Sequence, residues 1–90
     1  MALRMNPEDA QTLALKALGF VAASDGGLDR LMELSGLDRD TLRTKAGEPE
    51  ILASLLDFLL ADEGLLVDFC QEESIDPKAV HMARHVLGGP

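Results

Sequence analysis

Tryptophan and tyrosine are absent from these 90 residues, and phenylalanine occurs only as Phe20, Phe58 and Phe69. A core must therefore be built from aliphatic side chains and methionine, which keep the hydrophobic share at 47%. That share excludes a disordered composition. β-Branched residues are also scarce, and Leu, Ala, Met, Glu, Lys and Arg dominate, which favours helix over sheet. No run of about 18 unbroken apolar residues occurs, so no membrane span is expected. Residues 1–11 hold no apolar run and carry Pro7, Glu8 and Asp9, so no signal peptide is expected. The lone cysteine, Cys70, has no internal disulfide partner. Together these shortages lead us to expect a soluble protein of the reducing cytoplasm. A chain of this length makes one domain that buries roughly 60–65% of its unfolded surface.

Bases are the remaining shortage: 8 against 16 acids, for a net charge of −8. The imbalance is local. Residues 1–47 carry six bases and seven acids, whereas residues 48–90 carry Lys78 and Arg84 against nine acids. The second half should repel nucleic acid and anionic membrane, and it can attract a basic partner or simply keep the protein dispersed.

What the chain has is a near repetition. Leu15, Leu18, Asp25, Gly27 and Leu28 return 37 positions later as Leu52, Leu55, Asp62, Gly64 and Leu65. Leu37, Asp38 and Leu42 return 38 positions later as Ile75, Asp76 and Val80. A period of this length predicts two stacked helical units that share one core.

Helix punctuation locates the elements. Asn6-Pro7 and Asp76-Pro77 each pair a capping residue with proline at the first helical position, and Glu48-Pro49 is a weaker version. Asp25 and Asp62 are placed to cap the second and fifth helices. Gly36, Gly47 and Gly88 stand where a left-handed residue ends a helix. The spans are about 7–24, 27–35, 39–46, 49–61, 63–73 and 77–87. In the first helix Ala10, Leu13, Ala14, Ala17, Leu18 and Val21 form one apolar stripe, and Gly19, Ala22 and Ala23 are small enough to admit a neighbour. The fourth helix carries Ile51, Leu52, Leu55, Leu56, Phe58, Leu59 and Leu60, with polar Ser54 and Asp57 only. Such a helix is the centre of the core, or else it closes a homodimer. The expected architecture is all-α: a compact bundle of six short helices, as two three-helix units (7–47 and 48–88), behind a flexible N-terminus at 1–5.

Candidate chemistry is thin. His81 and His85 are four apart, a metal-compatible spacing, but no acid adjoins the first histidine and no third ligand follows, so no metal site is expected. Both fall opposite the apolar stripe of the last helix. Cys70 falls on an apolar stripe with Leu66 and Phe69, which suits a buried thiol. Asp57, Asp62, Glu63 and Asp68 crowd together without the spacing of a cation loop. No nucleophile, phosphate or dinucleotide motif occurs, so neither catalytic residues nor a cofactor are expected. The stretch from Leu31 to Arg43 has the cadence of a helix-turn-helix, with Arg39, Arg43 and Lys45 available for phosphates, but Asp38 and Asp40 interrupt them.

The strings Asn6-Pro7-Glu8-Asp9-Ala10, Leu34-Ser35-Gly36-Leu37-Asp38 and Leu56-Asp57-Phe58-Leu59-Leu60-Ala61-Asp62-Glu63 resemble a family of small bacterial, mainly alphaproteobacterial, proteins, the domain of unknown function 3572 family. The resemblance runs from about Asn6 to Gly88. It implies a compact all-helical fold and no activity, cofactor or site residues. The expectation for function is a non-enzymatic interaction or adaptor module that binds another protein through Glu63, Asp68, Glu72 and Glu73. The alternative is a small nucleic-acid-binding regulator that uses Arg39, Arg43 and Lys45.

Overall fold

The computed structural model describes residues 5–88, and every regular element among them is an α-helix. The order is α1 (Pro7–Ala23), α2 (Gly27–Ser35), α3 (Arg39–Lys45), α4 (Pro49–Ala61), α5 (Glu63–Glu73) and α6 (Pro77–Gly88). These bounds agree with the punctuation to within one residue. Residues 1–4 of the expected flexible N-terminus lie outside the described residues, and Met5 is half-buried against the core.

Most caps act as their side chains dictate. Asn6 Oδ1 accepts the Asp9 N–H at 2.7 Å. Asp62 Oδ1 accepts that of Leu65 at 3.1 Å, and Asp76 Oδ1 that of Lys78 at 2.9 Å. Glu48 makes no side-chain cap bond. Asp25 does not cap α2: left-handed Gly26, φ 72°, holds that place, with no side-chain bond. The cause is the tight corner after α1. There the Gly27 N–H donates to the Ser24 carbonyl at 3.0 Å, and a Cβ on Gly27 would clash with the Val21 carbonyl. Gly47 is not left-handed either, because α3 ends on Ala46 in ordinary right-handed geometry. Gly88 is still within α6.

The core gathers on α4, whose Leu52, Ala53, Leu55, Leu56, Phe58 and Leu59 are buried. Helices α1 and α6 pack against it and against each other, and α2 and α5 attach at its flanks. The residues that let helices approach closely are Ala10, Ala14 and Ala17 of α1 and Ala83 of α6, all fully buried. Gly19, Ala22 and Ala23 admit no neighbour: they face solvent on the opposite side of α1, and the space beside Gly19 is open. Phe20 and Phe69 meet with ring centres 5.5 Å apart. No polar side chain is buried among the described residues. A radius of gyration of 12.2 Å matches the roughly 12 Å of a globular chain of this length.

The repetition is visible in the turns and lost in the packing. Gly36 ends α2 at φ 77°, and its counterpart Ser74 ends α5 in the same left-handed geometry at φ 56°. The third helices differ. α6 presents Val80 and Ala83 with half-buried Ala79, Met82, Val86 and Leu87, and spans both α1 and α4. α3 has seven residues with Leu42 as its one buried side chain, and it rests at the rim.

Candidate interaction surfaces

Helix α5 has two chemically opposite sides. Leu66, Phe69 and Cys70 face the core. Glu63, Gly64, Val67, Asp68, Gln71 and Glu72 face solvent. Val67 is 42% exposed, so this face sets one aliphatic side chain among three acids. None of Glu63, Asp68 and Glu72 is in an ion pair among the described residues. The fourth expected surface acid departs from this group. Glu73 turns towards α1, where its carboxylate lies 3.6 Å from Lys16 Nζ.

The second surface is a groove of about 350 Å³ where α1, α2 and α3 meet. Leu18 and Ala22 form one wall, Leu28 and Met32 another, and Leu42 closes it. The charged residues lining it are Arg39 and Arg43, both cations. Each leans outward on an acid: Arg39 is 3.9 Å from Asp29, and Arg43 is 3.6 Å from Asp40. Lys45 is exposed beyond them at the end of α3. Composition hid this groove, although one signal was present. Leu15, Leu18 and Ala22 follow i, i+3, i+7 and widen the apolar stripe of α1 at its flank, where Leu18 is half-buried against the core and Leu15 and Ala22 are exposed.

The sequence pattern described as "Protein of unknown function (DUF3572)" matches residues 7–90. The chain belongs to the DUF3572 family. No curated protein and no solved structure matches it. The family's description assigns no chemistry, so the remaining candidate groups of this DUF3572 member rest on their geometry.

The crowded carboxylates are separated by structural duties. Asp57 accepts from Arg84 Nε at 2.6 Å, which also raises the Arg84 pKa through that hydrogen bond. Asp62 caps α5 and lies 3.2 Å from Arg30. His81 and His85 are both exposed on α6. Among the described residues no three His, Cys, Asp or Glu side chains gather to hold a metal ion. Cys70 is buried, and burial, with the nearby Asp76 charge, pushes its thiol above the ordinary value. No helix among the described residues is long and apolar enough to cross a membrane.

Proposed function

We propose that this DUF3572 chain is a non-enzymatic protein-interaction module of the reducing cytoplasm that meets a basic surface of a partner through the solvent face of α5. The observation that carries the reading is Val67, exposed among the unpaired acids Glu63, Asp68 and Glu72 on the more acidic half of the chain. An aliphatic side chain beside one acid, Glu63, with Asp68 and Glu72 further round the same helix, supplies contact area and steering. The groups best suited to chemistry are otherwise engaged: Asp57 and Asp62 hold structure, and Cys70 is buried and protonated at neutral pH. Affinity capture at low and high salt tests the reading. Salt-sensitive recovery of a protein that presents a basic surface is expected, weakened about tenfold or more by Glu63→Lys, Asp68→Lys and Glu72→Lys together. Recovery that ignores these changes overturns it.

A second reading rests on α2, the turn at Gly36 and α3, which do follow one another as helix, turn and helix, with Arg39, Arg43 and Lys45 on the second helix. It makes the chain a small nucleic-acid-binding regulator. The net charge of −8, and Asp38 and Asp40 standing among these bases, weaken it, because a polyanion is repelled by the chain as a whole. A gel shift with mixed genomic fragments that shows no salt-sensitive complex would end it.

A further inference from the structure

We infer that α5 meets a second copy of this chain, whose cationic groove between α1, α2 and α3 receives the α5 solvent face. This rests on the reading that α5 contacts protein. The two surfaces are complementary in kind and in spacing. Arg39 and Arg43 stand one helical turn apart on α3, and Asp68 and Glu72 stand one turn apart on α5, each pair about 6 Å along its helix axis. The groove is lined by apolar side chains and two cations, in a molecule of net charge −8. The α5 face offers exposed Val67 for the apolar lining, and Gly64 beside it for close approach of the backbone.

The present partners of the arginines do not oppose this. The Arg39–Asp29 and Arg43–Asp40 pairs are exposed on both sides, a class of pair with little net stability, so the arginines can be exchanged to new carboxylates.

The placement also permits closure. Leu18 and Ala22 border the groove on one side of the exposed ridge of α1, and Gly19, Phe20 and Ala23 line the hollow next to Glu72 on the other. In the inferred dimer two copies face each other across that ridge, where Leu15 is 44% exposed, and each gives and receives an α5. Such a contact is isologous and stops at two chains.

Sedimentation equilibrium of the full chain across a concentration series tests this. The mass is expected to rise from 9.7 kDa towards twice that value. Arg39→Glu with Arg43→Glu in one variant, or Asp68→Arg with Glu72→Arg in another, is expected to raise the dimer dissociation constant at least about tenfold while circular dichroism stays unchanged. Mixing the two variants is expected to restore a dimer, because both reciprocal contacts then pair opposite charges. A wild-type chain monomeric at every concentration, a dimer indifferent to either variant, or folded variants that fail to pair would each overturn the inference. A monomer that still captures a protein with a basic surface through Glu63, Asp68 and Glu72 overturns the second copy alone and leaves the proposed function standing.

Discussion

Ser74 holds φ at 56°, the left-handed conformation that its counterpart Gly36 adopts without a side chain. The conformation is required because the Ile75 N–H must reach back to the Cys70 carbonyl, at 2.9 Å, to close α5. A residue with a Cβ costs about 1 kcal/mol there relative to glycine. Ser74→Gly should therefore stabilise the domain by about that amount, and raise its melting temperature by roughly 4–8 °C in a scan. An unchanged or lowered midpoint would contradict the strain assigned to this residue. That Ser74 takes the place of Gly36 was legible from the repeat, but that it keeps glycine's left-handed geometry was not, because a Cβ disfavours it. Nor was the idle Asp25, because the close contact of Gly27 with the Val21 carbonyl arises only once α1 and α2 meet.

Helix α3 is the least buried element, and its cap matters correspondingly. Asp38 Oδ1 accepts the Thr41 N–H at 2.7 Å, and that bond, with the Thr41 hydroxyl, holds the carboxyl below its ordinary value of 3.8. A carboxyl whose folded pKa is depressed adds stability above the unfolded pKa and loses it as pH falls through the folded one. Asp38→Asn keeps an acceptor and removes the titration. Thermal melts of the two proteins should thus converge as pH falls through a window that opens at the ordinary value of 3.8 and extends below it, with the wild type more stable above that window. Parallel curves across the window would remove the charge from the account of α3. Helix α1 carries the opposite lesson. Its buried stripe was readable from periodicity, whereas Gly19, Ala22 and Ala23 were assigned a neighbour that they lack. Smallness permits close approach but does not say which element makes it.

For the whole molecule, α4 is the helix on which α1, α2, α5 and α6 all pack. Leu56 is fully buried in it, and Leu56→Ala should cost about 2–5 kcal/mol. Against a typical total of about 5–15 kcal/mol, a urea titration should show a midpoint shifted strongly downward. The single thiol reports the same opening independently. Cys70 is buried, with its pKa raised first by that burial. Alkylation at neutral pH should be slow in the wild type and markedly faster in Leu56→Ala. Equal rates would mean that the thiol is reached without opening the core around α4. Of the candidate interface, the acidic α5 face was readable from the chain because it is one helix with one composition. The groove was not, since it takes its lining from three helices.

The sequence alone determined where helices start and stop, and which face of α4 seeks the core. Proline, capping carboxylates and apolar spacing act within a few residues, so their consequences are local. Tertiary structure decided that α6, and not α3, spans α1 and α4, and that the flank of α1 at Leu18 and Ala22 opens into a groove beside Arg39 and Arg43. Periodicity names a face, but the partner of that face depends on the volume and apolar area that distant helices bring to it. With Leu42 as its one buried side chain, α3 brings too little to displace α6.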